Sequence, residues 1–350
     1  MKITSYFFAF ILIFTLFVSA NPLHAQKELS SERLAKALKL FPDADEDKDG
    51  ILTVPEATRY LDKHPELKAM LGPRGNEANK SGSDATTSDS KGTRVFVCAH
   101  SFMIFTAALL PPMAKDAEVA YVNAGQQMIG GSKTLQHWEL PDDKNKAKAA
   151  LREGKVDVLT LSPHKMIPDV GIDNFTKLGL EKNPKIRVLI QASWPARDGV
   201  EGEFKNAMRD NATVESVREM SKRHHSDWIS KLEKQVRDLN TSVGSETAYI
   251  VPVCDAVSAL REKIAEGTAP GLKKQTDLFR DDLGHPQAPL AMLVTYCHFC
   301  AIYHRSPVGL PVPSALSSLP EANSMNLLLQ QIAWDAVSKY PMSGVKTEKP

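Results

Sequence analysis

An excess of charge of either sign is missing from this chain: 43 Lys and Arg stand against 42 Asp and Glu over 350 residues, a formal charge of +1. That balance builds neither a basic face of the kind that grips nucleic acid nor an acidic tail. Cysteine is scarce as well. Four thiols, Cys98, Cys254, Cys297 and Cys300, are too few for a disulfide-held scaffold of this length. Cys297 and Cys300 form a C-x-x-C pair, but no second pair lies at zinc spacing and the surrounding LAMLVTYCHFCAIYH reads as a buried helix. Packing thiols are therefore expected, with their pairing left open.

Long apolar runs are also absent, apart from Tyr6 to Val18 (YFFAFILIFTLFV) behind Lys2. That run is shorter than the roughly 20 residues a spanning helix needs. A basic start, a short apolar core and small residues fit a secretory signal cut after Ala20 or Ala25, so an exported mature protein, periplasmic or extracellular and not held in a membrane, is expected. Disorder is excluded by composition, since 42% of residues are hydrophobic and 24% charged.

A stretch rich in Gly, Ser, Asn and Asp, residues 72–92, reads as a flexible linker between an N-terminal module at 28–71 and a body at 93–340, with a frayed tail at 341–350. The body alternates apolar, β-rich runs at 94–98, 119–123, 156–161, 186–192 and 248–253 with helical patterns. Near-continuous apolar strands separated by helices predict a three-layer α/β fold around a mostly parallel five-stranded sheet. Residues 203–239 are unusually charged for a crossover; a solvated helix pair is the expectation, and a lid over the cleft the alternative.

In the N-terminal module, Asp45 to Glu56 read DEDKDGILTVPE. This is the spacing of an EF-hand calcium loop: Asp45, Asp47 and Asp49 as oxygen ligands, Gly50 at the sharp turn, Ile51 through its carbonyl, Thr53 at the often water-mediated place and Glu56 as bidentate closer. A hard cation wants six to eight oxygens, and alternate side chains of a tight loop converge on it. Calcium is the cofactor this predicts, within a helix–loop–helix segment.

The first strand of the body runs into Ala99-His100-Ser101, which places a serine where a strand turns into a helix, at the carboxyl edge of the sheet where functional crevices form. Far downstream, Asp282 lies three residues before His285. A carboxylate so placed orients an imidazole through one nitrogen and leaves the other to take a serine proton. The expected constellation is Ser101, Asp282 and His285.

These pieces, with the glycine turn NAGQQMIGGS that contains Gly130 and Gly131, resemble the SGNH (GDSL-type) hydrolases over residues 94–313. The resemblance implies a flavodoxin-like sheet and a serine esterase in which Ser101 is nucleophile, His285 base then acid, and Asp282 its orienter. It also implies an oxyanion site lined by the N–H of Ser101 and that of Gly130 or Gly131. The substrate it implies is a small-molecule or polysaccharide ester, with a carbohydrate O-acyl or acetyl group suggested by export and family analogy. Two blocks depart from the pattern: Ala99-His100 replaces the usual Gly-Asp, and Leu161-Ser162-Pro163-His164 lacks the asparagine that donates to the oxyanion. Ser162, His164 or Gln191 would have to fill that gap. His137, Trp138 and Trp194 are candidates for the cleft wall, while His224, His225, His298 and His304 read as surface or core. The rival readings are a non-catalytic glycan- or peptide-binding protein and a calcium-dependent structural protein.

Overall fold

The computed structural model describes residues 92–346 except Lys165 and, towards the N-terminus, residues 38, 42–53, 56, 59, 60 and 63. The expected signal segment, and the expected linker apart from Gly92, lie outside the described residues. The chain divides into two compact units, residues 1–87 and 88–350. No described helix is long and apolar enough to cross a membrane.

The larger unit is an α/β domain whose five parallel strands are β1 (Thr93–Ala99), β2 (Tyr121–Met128), β3 (Val158–Leu161), β4 (Arg187–Gln191) and β5 (Ala248–Val251). They lie in the order β2-β1-β3-β4-β5, the flavodoxin-like order. The helices are α1 (Thr106–Asp116), α2 (Thr134–Trp138), α3 (Lys146–Arg152), α4 (Val170–Lys182), α5 (Val214–His224), α6 (Ser230–Val243), α7 (Val253–Ala265), α8 (Ala288–Tyr303) and α9 (Ala322–Lys339).

Strand alternation sends side chains into two cores, one on each face of the sheet. Val95, Val97 and Ala99 of β1 join residues of α1, α7, α8 and α9 in the first. Phe96 and Cys98 of the same strand join α3, α4 and α6 in the second. Helix α8 is buried almost all round, as its unbroken apolar run requires. All four cysteines are buried and unpaired.

Three elements differ from the sequence reading. Strand β2 runs five residues past its expected end, through a register shift opposite Val95 and Phe96. Gly125 makes this possible: its φ is +124°, and a Cβ there would lie 2.7 Å from the Phe96 ring. Helix α9 was not expected, yet it packs Met325, Leu329, Ala333 and Val337 into the first core. Residues 341–346 are docked, not frayed: the Ile250 N–H donates to the Met342 carbonyl at 2.8 Å, and Val345 is buried.

Strand order changes direction at β1, with β2 on one side and β3 on the other, and a crevice opens there beyond the carboxyl ends of the strands. The loops that leave β1, β2, β3 and β4 all reach it.

Candidate active site

After β1 the chain makes a tight turn at Ser101–Phe105, with the His100 carbonyl accepting from Met103 and Ile104 N–H at 3.1 Å each, before α1 begins. Ser101 sits at the head of this turn. Its hydroxyl does not cap the helix, whose N-cap, Phe105, has no side-chain bond. Ser101 Oγ instead lies 2.9 Å from His285 Nε2, across 184 residues of sequence. The other ring nitrogen, Nδ1, lies 2.7 Å from Asp281 Oδ2.

The orienting carboxylate is therefore that of Asp281, not Asp282. The reason is the backbone turn between them and the histidine. Asp281 Oδ1 accepts from the N–H groups of Gly284 and His285 at 3.0 and 3.1 Å, so its side chain folds inward over the turn. Asp282, one residue on, points the other way: its Oδ1 accepts from the Asn206 N–H at 2.7 Å, and Lys205 Nζ is 3.8 Å from Oδ2. Burial pushes the Asp281 carboxyl up, but the bonds from the His285 backbone and imidazole and from Gly284 outweigh it and hold its pKa below the ordinary value.

Every carbonyl of the 281–285 turn has a donor. Arg209 Nη1 and Nη2 reach the carbonyls of Asp281 and Asp282 at 3.0 and 3.1 Å. The Arg197 N–H serves Leu283 at 3.1 Å, Trp194 Nε1 serves Gly284 at 3.0 Å, and the Arg280 N–H serves His285 at 2.9 Å. Arg209 is almost wholly buried and is balanced by Asp198 at 3.0 Å, which also holds Arg261 at 2.7 Å. Gly284 adopts φ +96°, and a Cβ there would press on Arg209 and Trp194. Phe102 meets the His285 ring edge-on, with centroids 5.3 Å apart, and stacks on Trp194 at 4.6 Å.

Gly130 and Gly131 face the same cavity as Ser101 and His285. Among the described residues, no protein acceptor takes the backbone N–H of Ser101, Gly130 or Gly131. Two supports hold the glycine turn. Asp169 accepts from the Thr134 and Leu135 N–H groups at 2.6 and 2.8 Å, and a Cβ on Gly171 would lie 2.3 Å from Leu135 N. His137, buried below the turn, pairs Nε2 with Ser132 Oγ at 2.7 Å and Nδ1 with Gln127 Nε2 at 3.3 Å; burial lowers its pKa to about 4 and keeps it neutral. Trp138 lies apart from the cavity against Phe175, so of the three expected wall residues only Trp194 lines it.

Two of the candidates for the missing oxyanion donor, Ser162 and Gln191, do not line the cavity. Ser162 Oγ accepts from the His100 N–H at 2.9 Å, which ties the ends of β1 and β3 together. Gln191 is fully buried: its Nε2 donates to Ser193 Oγ at 2.8 Å and the Phe102 carbonyl at 3.2 Å, and its Oε1 meets His298 Nε2 at 2.9 Å. His164 does line the cavity, with its ring 5.9 Å from that of His100. Burial, and next the charge of His164, lower the pKa of His100 to about 4. His100 Nδ1 accepts from the Phe102 N–H at 3.2 Å, so the proton of the neutral ring sits on Nε2.

The charged stretch contributes to the wall. Between α5 and α6 a π-helical turn, His225–Ile229, brings His224 and Trp228 to the cavity. Their rings stack at 5.3 Å, and His224 Nε2 meets the Ser193 carbonyl at 2.8 Å. π-turns recur at functional sites, but no residue pattern in the sequence marks this one.

In the N-terminal unit, Asp45, Asp47 and Asp49 each turn an oxygen to within 4.8 Å of the others. Gly50, at φ +84°, makes the sharp turn and donates to Asp45 Oδ2 at 2.9 Å. Glu56 is buried, accepting from the Glu46 and Thr53 N–H groups at 3.2 and 2.9 Å, and Leu52 is buried beside an exposed Ile51. Asp45 Oδ1 is buried and has no hydrogen-bond partner among the described residues. For Asp47, the bond from the Asp49 N–H pulls its pKa down, but desolvation and the charges of Asp49 and Glu56 outweigh it and raise the pKa. A buried orphan oxygen amid crowded carboxylates fits a hard cation.

No family model matches this chain, and no curated protein matches it. Among solved structures, the crystal structure of a DUF4886 family protein from Bacteroides uniformis ATCC 8492 is similar, with 14% identity and a TM-score of 0.44. The match covers 70% of this chain and 95% of that one.

Proposed function

We propose that this protein is a serine esterase of the SGNH type, with Ser101, His285 and Asp281 as its triad. The observation that carries the reading is the unbroken chain from hydroxyl to imidazole to carboxylate, at 2.9 and 2.7 Å. Ser101 Oγ attacks the ester carbonyl as His285 Nε2 takes its proton. Asp281 keeps the Nδ1–H tautomer in place and stabilises the imidazolium. The carbonyl oxygen, now an anion, receives the N–H of Ser101 and those of Gly130 and Gly131. His285 returns the proton to the departing alcohol oxygen, leaving an acyl-serine. Water then adds with His285 again as base; the acid leaves and the serine hydroxyl is restored.

Without the usual asparagine, the oxyanion site rests on backbone donors. Loss of one donor costs about 10²–10³ in rate, which slows a hydrolase without abolishing it. The reading includes export, carried by the N-terminal apolar run, and calcium held by Asp45, Asp47, Asp49 and Glu56 with the Ile51 carbonyl and Thr53.

Hydrolysis of short p-nitrophenyl esters by the purified protein tests the catalytic reading. Ser101→Ala and His285→Ala are each expected to lose at least 10³-fold of the rate. Turnover that survives both substitutions assigns the hydrolysis to something else.

A further inference from the structure

The cavity above Ser101 and His285 has a volume of ≈ 400 Å³, within the range of small-ligand sites. Its chemistry is one-sided. Its wall is mostly apolar, with Phe102, Pro163, Trp194, Pro195, Ala196 and Trp228 among the residues that line it, and no Asp, Glu, Lys or Arg lines it among the described residues. Several of its polar groups are engaged within the protein. His100 Nδ1 and the backbone N–H of His100 are bonded, His224 Nε2 is held by the Ser193 carbonyl, and Ser193 Oγ already accepts from Gln191. A sugar ring brought here would have hydroxyls with few partners, and burying an unpaired hydroxyl costs more than solvating it. A carboxylate or phosphate would find no Lys or Arg among the described lining residues.

We infer that the cavity takes esters whose substituent next to the scissile carbonyl is uncharged and apolar, a medium-length alkyl chain or an aromatic ring, in preference to acetyl groups on carbohydrate. This rests on the serine-hydrolase reading and narrows its substrate class. Trp228, brought in by the π-turn, closes one wall of the cavity and so sets the length that fits.

The test is a substrate series on the whole purified protein. In one arm the acyl chain of p-nitrophenyl esters grows from acetate to dodecanoate; in the other, acetate esters of 1-alkanols grow in the alcohol. If the apolar substituent is the acyl group, kcat/KM rises about fourfold per methylene up to hexanoate, more than 100-fold in all, then levels or falls. If it is the alcohol, the second arm rises instead. Succinate monoesters and acetylated sugars are expected to stay at or below the acetate level. Trp228→Ala is expected to move the optimum to longer chains.

Binding is read separately on Ser101→Ala through the fluorescence of Trp194 and Trp228, titrated with alkyl methyl ketones of growing chain length, with fatty acid anions as the charged control. Tighter binding with each methylene supports the cavity assignment even where no ester is turned over, and that pairing overturns the hydrolase reading alone. Equal turnover along both arms, with no chain-length trend for the ketones, overturns the inference. So does a preference for charged or glycosyl esters.

Discussion

Two adjacent aspartates take opposite directions at the turn before His285, and the site's chemistry follows from which one folds inward. Asp281→Asn is expected to lower kcat by about 10²–10⁴-fold, because an amide can no longer fix the proton on Nδ1. Asp282→Asn, which loses only the contacts to Asn206 and Lys205, is expected to stay within a few-fold of wild type. Steady-state kinetics on the two variants decides between them; the reverse ranking contradicts the assignment. The serine and histidine were legible because each residue type sat where its chemistry needs it, one at a strand end and one behind an acidic pair. The partner was misread because the D-x-x-H spacing favoured Asp282. Asp281 stands three residues before Gly284, and Asp at the first and Gly at the fourth place is the signature of a type I turn. That turn lays the Asp281 carboxylate across its own backbone and beside the imidazole.

At the scale of elements, the site is a set of loops clamped from behind. The Arg209 side chain is fully buried and spans two carbonyls of the histidine turn. Removing it also leaves Asp198 with one partner fewer. Arg209→Gln is expected to destabilise the protein by about 3–5 kcal/mol, measured by urea unfolding, and to lower kcat more than it raises KM. A fall in kcat/KM carried by KM alone would mean that the clamp does not position the imidazole. Gly171→Ala pushes a methyl against the start of α2 and is expected to cost about 1–3 kcal/mol. It should also slow turnover by displacing Gly130 and Gly131. The strands and most helices were legible from apolar runs and their spacing. The β2 extension was not, because Ala124-Gly125-Gln126-Gln127 has little β-propensity and pairs through a bulge. The π-turn was hidden because 203–239 carries the alternation of a solvated helix, and only packing against β4's loop brings His224 and Trp228 to the cavity.

Across the whole molecule, buried neutral histidines link stability to pH. Burial lowers the pKa of His100 and His137 to about 4 and of His298 to about 3, against about 6.5 for an exposed histidine. Below pH 6.5 the unfolded chain binds protons at these sites that the folded chain does not. Their contribution is therefore whole above that pH and is lost as the pH falls towards 4. Each histidine adds a slope of up to about 1.4 kcal/mol per pH unit, and urea titrations at stepped pH should show His137→Gln flattening the curve by about one proton. In the N-terminal unit, millimolar calcium is expected to give a calorimetric binding signal on the full chain, removed by Asp45→Asn with Glu56→Gln. The catalytic account itself is tested most directly by mass spectrometry after exposure to a fluorophosphonate probe. It predicts one covalent adduct on Ser101 in the wild-type protein, much slower in Asp281→Asn and absent in Ser101→Ala; no adduct, or one on another residue, would contradict it.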